Sequence, residues 1–249
     1  MNILICGVGG RMGREVAKLA MDGVRSANVV AGFDVVPLDT REFPTYTDWS
    51  AVTGDINCII DFSHHSATEA LLGFAKKNNI PVVIATTGHT DEEKESILAA
   101  AKEIPVFHSA NMSLGIALLV ELAKTTAKAF PDADIEIIEK HHNRKLDAPS
   151  GTALLLANAV REVRKSAKFI FGRSGQAKRE AEEIGIHAIR MGNIIGEHEV
   201  IVGTDTQTIT LKHEAHSRAL FAEGAMAAAE FLVGKPAGMY DMKSMIEAD

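Results

Sequence analysis

The stretch Asn2-Ile3-Leu4-Ile5-Cys6-Gly7-Val8-Gly9-Gly10-Arg11-Met12-Gly13 decides the fold. It opens as an apolar run without alternation, the pattern of a strand covered on both faces, and breaks into a glycine-rich turn. Beyond the turn, Met12, Val16, Leu19 and Ala20 recur at helical spacing, so strand, turn and helix follow one another directly. Short apolar runs keep alternating with helical patterns up to about residue 110. Strands are expected at 3–6, 29–33, 58–62, 82–85 and 106–107, joined by crossover helices, one of them carrying Ala67, Ala70, Leu71 and Phe74 on a single face. Thr90 and Glu93 make a capping box that opens another helix. A doubly wound parallel sheet follows.

The glycines of the turn have a chemical reason. In a dinucleotide-binding fold the turn is tight, the backbone approaches a pyrophosphate closely, and the helix packs hard on the strand. The helix N-terminus then holds the negative charge. Met12 stands where the third glycine of G-x-G-x-x-G belongs, so the spacing here is G-x-x-G-x-x-G through Gly7, Gly10 and Gly13. Asp34 ends the second strand at the ~20-residue distance where a carboxylate accepts from ribose hydroxyls. Val35 and Val36 follow it with no cation for a 2′-phosphate, which points to NADH. Arg11 would reach such a phosphate from the first helical turn, so NADPH stays open. Ala85-Thr86-Thr87 and Ser109-Ala110-Asn111-Met112 sit at strand C-termini, where open α/β sheets bind ligands, and are candidates for the nicotinamide end.

Composition bounds the rest. At ~150 residues per domain, 249 residues make one to two domains. With 46% hydrophobic and 24% charged residues the chain is an ordinary globular protein, which excludes disorder, collagen and disulfide scaffolds. Twenty-six Lys and Arg against 33 Asp and Glu leave a net charge of -7, arguing against nucleic acid or an anionic membrane as partner. Cys6 and Cys58 lie in apolar runs, where reduced thiols and a cytoplasmic location are expected. Met1 leads straight into the strand without a basic leader, and no apolar run nears the ~18 residues of a membrane span, so neither export nor anchoring is expected.

After residue 112 the pattern changes. A helix with Ile116, Leu119, Val120 and Ala123 on one face leads to a strand at 134–139, a polar loop, and a helix starting near Ser150. From 184 the period becomes two: Ile184, Ile186 and Ala188 share one side, and later Ile209, Leu211 and His213 oppose Thr208, Thr210 and Lys212. One face of that sheet is covered. A last amphipathic helix carries Phe221, Ala225, Ala228, Ala229 and Leu232, and periodicity alone leaves open where it packs.

The chemically dense segment is Glu139-Lys140-His141-His142-Asn143-Arg144-Lys145-Leu146-Asp147-Ala148-Pro149-Ser150-Gly151-Thr152. Residues 140–145 gather two imidazoles and three cations in an acidic protein, a cluster that is costly unless an anion visits. Ser150 then caps a helix whose Gly151 and Thr152 offer N–H groups. Cationic loop and helix start suit a small dicarboxylate. Adjacent histidines aim their rings apart, and no Cys pair or HExxH supports a metal. Lys140, Arg144 and Lys145 are expected to disfavour the protonated form of His141 until a dianion binds, the behaviour wanted of a general acid. Histidines 64, 65, 89, 108, 187, 198, 213 and 216 are read as surface or hydrogen-bonded core residues.

On these residues the chain resembles the 4-hydroxy-tetrahydrodipicolinate reductase (dihydrodipicolinate reductase) family. Gly7 to Gly13 is similar to the family's opening G-x-G-G-R-M-G, and Glu139 to Ala153 to its E-x-H-H-x-x-K-x-D-A-P-S-G-T-A signature. Gly192 to His198 and Phe221 to Ala225 resemble it too. The resemblance implies an α/β fold: an N-terminal Rossmann-like doubly wound parallel sheet (1–112 plus 222–249) binding the dinucleotide, and a second, smaller α+β domain (113–221) for substrate and oligomerisation. It implies His141 as proton donor, Lys145 as second donor or substrate-holding cation, and His142, Ser150, Gly151 and Thr152 as substrate binders. Gly7, Val8, Gly9, Gly10, Arg11, Met12, Asp34, Ala85, Thr86, Thr87, Ser109, Ala110, Asn111 and Met112 would bind the dinucleotide. The implied reaction is reduction to tetrahydrodipicolinate by NADH or NADPH, in a homotetramer joined through the second domain's sheet. Two departures stand out: Asp34-Val35 lacks the acid-plus-Arg pair of NADPH-accepting members, and Met112 replaces an aromatic found in some. The competing readings are a Rossmann dehydrogenase of another amino acid, which has no need of the His-His-x-x-Lys loop, and a silent dinucleotide-binding regulator, which has no need of His141 and Lys145.

Overall fold

A computed structural model describes residues 1–40 and 42–248. In chain order the elements are β1 (Asn2–Cys6), α1 (Arg11–Met21), β2 (Asn28–Phe33), β3 (Thr45–Tyr46), β4 (Cys58–Asp61), α2 (Thr68–Asn78), β5 (Val82–Ile84), α3 (Asp91–Ala100), β6 (Pro105–His108) and α4 (Leu114–Ala129). They continue as β7 (Asp134–His141), α5 (Gly151–Val163), β8 (Lys168–Phe171), β9 (Glu183–Arg190), β10 (Gly196–Gly203), β11 (Thr208–Ala215), α6 (Ala219–Leu232), β12 (Gly238–Tyr240) and α7 (Met242–Ile246). Two compact units result, one of Met1–Ser113 with Ala219–Asp249, the other of Leu114–Arg218.

The first unit is a seven-stranded, wholly parallel sheet in the order β12-β6-β5-β4-β1-β2-β3. Strand order reverses between β1 and β4, which makes the crevice at their C-terminal ends a ligand-binding switch point. Leu4 and Cys6 bury one face of β1 against α2 and α3 through Leu71, Leu72, Ala75, Ile97 and Ala100. Ile3 and Ile5, fully buried on the alternate face, lie on the side of α1 and α6. The expected crossover helix between β2 and β4 is absent among the described residues. In its place β3 and a 3₁₀ turn at Trp49–Ala51 cover the sheet, with the Trp49 ring stacked 3.8 Å from Phe33. Pro37 and Pro44 interrupt any helical run there. The capping box forms: Thr90 accepts from the Glu93 N–H while the Glu93 carboxylate accepts from the Thr90 N–H.

The second unit is a five-stranded mixed sheet in the order β11-β10-β7-β9-β8, antiparallel across the first two pairs and parallel across the last two. Helices α4 and α5 cover one face, where Ile135, Ile137, Ile184, Ile186, Val200 and Val202 meet Ile116, Leu119, Leu156 and Val160. Ala188, expected with Ile184 and Ile186 on the covered side, is exposed, because the apolar cover ends before that level.

Gly224 fixes how α6 meets the loop after β6. A Cβ there would lie 1.7 Å from the Met112 carbonyl oxygen, a backbone atom that cannot swing aside. Gly224→Ala is therefore expected to destabilise the first unit by about 1–3 kcal/mol, as overpacking does. Thermal or denaturant unfolding checks this, and a wild-type midpoint would contradict it.

Candidate active site

The turn after β1 is shaped by close approach. Gly7 has φ +76°, and a Cβ on it would lie 2.7 Å from the Phe62 carbonyl oxygen at the end of β4. A Cβ on Gly13 would come within 2.2 Å of the Gly7 carbonyl oxygen, so only glycine lets α1 start against the turn. The Gly9 N–H donates to Asp34 Oδ2 at 2.9 Å and the Val36 N–H to Asp34 Oδ1 at 3.3 Å, so Asp34 also closes the turn. Gly10, the N-cap of α1, brings no side chain to the helix's first N–H groups. Anions favour such an end. A cleft of about 560 Å³ opens here, lined by Arg11, Met12, Ala85, Thr86, Thr87 and Met112 among others. Thr86 Oγ1 is buried without a hydrogen-bond partner. Glycine cradle, open helix end and orphaned hydroxyl fit a dinucleotide.

Ser109, Ala110 and Asn111 form the next loop, closed by Ser109 Oγ donating to the Asn111 carbonyl at 2.8 Å. Four histidines read as scattered come together nearby: His64 and His65 at 4.2 Å between ring centroids, His65 and His89 at 6.5 Å, and His89 and His108 at 5.4 Å. Among the described residues no group of three or more His, Cys, Asp or Glu is arranged to hold a metal.

In the second unit the alternation of β7 puts Ile135, Ile137, Glu139 and His141 on one buried face. The first two are core; the last two lie where the core gives way to the start of α5. Register sets His198 of β10 opposite Glu139 and Arg190 of β9 opposite His141. The Glu139 carboxylate, 0% exposed, accepts from His141 Nδ1 at 2.6 Å, from the Ser150 N–H at 2.9 Å, and from Arg190 Nη1 and Nη2 at 2.8 and 2.6 Å. Burial by itself would raise its pKa, but the bonds from His141, Arg190 and Ser150 prevail and hold it at about 2. With Nδ1 committed to a carboxylate, His141 presents Nε2. Gly196 keeps that nitrogen open, since a Cβ there would crowd Nε2 at 3.1 Å.

Ser150 caps α5, its Oγ accepting from the Ala153 N–H at 3.2 Å and pairing with His198 Nε2 at 3.0 Å. Its polar groups thus face inward, while Gly151 is exposed and Thr152 half-buried at the helix start. Desolvation first, and then the charge of His141, push the His198 pKa down to about 4, so this ring is neutral. The backbone N–H of His142 donates to the Ile194 carbonyl at 2.7 Å, and the buried Nδ1 of its ring has no hydrogen-bond partner. Desolvation, then Arg144 and Arg218, lower its pKa as well.

The geometry divides the three cations of the expected cluster. Lys140 alternates to the opposite face of β7 and pairs with Glu197 and Glu199 at 3.0 and 3.1 Å. Arg144 Nη2 donates to Asn193 Oδ1 at 2.6 Å, and Lys145 pairs with Asp147 at 2.8 Å. Lys145 and Arg144 therefore border the site already partnered, and the group touching His141 is an anion. Sequence reading assigns no site role to Glu139, Arg190 and Gly196, and takes His198 as a surface or hydrogen-bonded core residue; it is the latter, bonded to Ser150. Glu139 was within reach of sequence, since a residue two before His141 on a strand shares its face.

Comparison with known proteins adds the family. Models described as Dihydrodipicolinate reductase, N-terminus and Dihydrodipicolinate reductase, C-terminus match residues 1–112 and 115–246. The chain is 47% identical to a 4-hydroxy-tetrahydrodipicolinate reductase of Caldanaerobacter subterraneus subsp. tengcongensis, covering 99% of this chain and 98% of that one. It is 42% identical to the enzyme of that name from Clostridium novyi, over 99% and 98%. Among solved structures it is similar to a dipicolinate-bound dihydrodipicolinate reductase from Paenisporosarcina sp. TG-14, with TM-score 0.83, 26% identity and 97% of each chain covered. Matches to both halves of one enzyme, in order and over nearly every residue, leave one conclusion: the chain belongs to the dihydrodipicolinate reductase family.

Proposed function

We infer that this chain reduces 4-hydroxy-tetrahydrodipicolinate, by way of dihydrodipicolinate, to tetrahydrodipicolinate in diaminopimelate and lysine synthesis, with His141 as the proton donor. The enzyme is an NAD(P)H-dependent oxidoreductase, and the bound dinucleotide supplies the hydride. The observation that carries the reading is the meeting of an imidazole with open Nε2, an orphaned His142 Nδ1 and a helix N-terminus at the end of β7. Proton donor and anion site stand together there. His142 Nδ1 and the N–H groups of Gly151 and Thr152 receive the substrate carboxylates, with Ser150 fixing the helix start that presents them. Lys145, released from Asp147, adds the cation or a second proton. His141 Nε2 holds the proton wanted by the carbanion character that reduction leaves on the ring.

In the first unit Gly7, Val8, Gly9, Gly10, Arg11 and Met12 hold the pyrophosphate and Asp34 the adenosine ribose. Ala85, Thr86 and Thr87 with Ser109, Ala110, Asn111 and Met112 hold the nicotinamide end. Val35 and Val36 are exposed beside Asp34 and bring no cation, which favours NADH over NADPH. The uncovered face of the second sheet, where half-buried Ile138 and Ile201 lie among paired charges, is the surface for a homotetramer. Two buried free thiols suit a reducing cytoplasm. Among the described residues no helix is long and apolar enough to cross a membrane.

His141→Gln is expected to cut turnover by about 10² to 10⁴, the loss typical of a general acid, with dinucleotide affinity unchanged. The assay supplies fresh 4-hydroxy-tetrahydrodipicolinate and follows nicotinamide absorbance; wild-type turnover would end the assignment. Lys145→Ala should lower kcat/KM for the substrate in the same assay, and an unaltered value would remove Lys145 from the site. Run with each cofactor in turn, the wild-type enzyme should give the higher kcat/KM with NADH; an NADPH advantage would shift the choice to Arg11.

A further inference from the structure

We propose that Glu139 is the positioning residue of the proton donor, a buried carboxylate that fixes His141 Nδ1, with Arg190 as the counter-ion that sets how much of its charge the imidazole feels. The proposal rests on the reading of His141 as the donor and deepens it. Three observations carry it. Glu139 Oε2 is 2.6 Å from His141 Nδ1 and 2.8 Å from Arg190 Nη1, so imidazole and guanidinium share one oxygen. The second oxygen takes Arg190 Nη2 and the Ser150 N–H, which leaves the carboxylate no rotation. The only ring nitrogen left for substrate is Nε2, the one that Gly196 keeps clear.

The groups facing His141 come from each element packed against it. Glu139 holds it from its own strand, and Arg190 on β9 pairs with that carboxylate. His198 on β10 is neutral, with His213 of β11 beyond it, and Ser150 starts α5 alongside. His142 and Lys145 follow in the loop, Lys145 paired with Asp147. A general acid works only while protonated, so activity falls as pH rises through its pKa. Loss of the carboxylate removes the anion that answers the donor's positive charge and moves the falling limb to lower pH. Loss of Arg190 leaves the carboxylate uncompensated and moves the limb to higher pH. A buried ion pair kept only for folding would change the melting point and leave the limb in place.

The test measures kcat and kcat/KM against pH, with the melting midpoint, for wild type, Glu139→Gln and Arg190→Gln in the full chain. Glu139→Gln is expected to lose about 10- to 100-fold in kcat, as when the partner orienting a functional imidazole is removed. Its falling limb should move down, and that of Arg190→Gln should move up. Adding Glu139→Gln to His141→Gln should cost nothing further. Limbs that stay with wild type, or move together, overturn the proposal. If the variants do not fold, nitrogen-15 NMR of the wild-type imidazole decides: a neutral His141 carrying its proton on Nδ1 supports it, and one carrying it on Nε2 refutes it. Full activity in His141→Gln would instead sink the donor assignment, whereas a slow His141→Gln beside a normal Glu139→Gln sinks only this inference.

Discussion

A carboxylate with no solvent exposure survives in a folded chain only when its charge is answered, and Glu139 is answered from three directions. Arg190 approaches from β9, His141 from two residues along β7, and the Ser150 N–H from the start of α5. Buried ion pairs are poor sources of stability, since desolvation consumes most of the Coulomb gain, and they are better at specifying geometry. Here the geometry is specific. One carboxylate sets which nitrogen of His141 faces out and where the helix bearing Gly151 and Thr152 begins. Arg190 extends the arrangement by donating to the Asp147 carbonyl, and Asp147 in turn holds Lys145. Most of the residues assigned to the substrate thus hang on a side chain that has no route to it.

The first unit solves its problem by removing atoms. Gly7 and Gly13 are required because backbone carbonyls occupy the space that a Cβ would take, and Gly10 leaves the helix end uncapped by any side chain. Such a turn offers charge recognition through N–H groups common to all residues, with side chains entering only at the margins, at Asp34 and Thr86. The second unit does the reverse, placing buried ionisable side chains at the end of a sheet. That division explains why the glycine turn speaks for a cofactor class and the histidine loop for one reaction.

Legibility followed the same division. The parallel sheet, the glycine turn and the Thr90 and Ser150 caps were readable because local rules determine them: apolar runs, φ above zero, side-chain oxygens before helices. The covering of β2 by Trp49 was not, since a stacked indole leaves no periodic trace. Nor was β12, three residues that become a strand only by pairing with β6. The basic loop is divided in space in a way that its sequence clustering does not show. Strand alternation sends Lys140 to the far face, and Arg190 and His198 enter through registers that no single segment encodes. His141 and Glu139, two apart on one strand, were the pair that alternation alone already joined.

The strand registers set where the core of the second unit ends. Ile135, Val202, Ile184 and Ile209 lie at one level of the second sheet, and Ile137, Val200, Ile186 and Leu211 at the next. At the third level the residues are Glu139, His198, Ala188 and His213, and at the fourth His141 and Arg190 pair. The rows change from apolar to ionisable or small at the same height on four adjacent strands, at the C-terminal end of β7, where α5 begins. The apolar cover of α4 and α5 ends at that height, and the buried positions beyond it, Glu139, His141 and His198, are held by hydrogen bonds instead of apolar packing. The core stops along a straight line across four strands, and beyond that line the buried positions are filled by the ion pair and hydrogen bonds of Glu139.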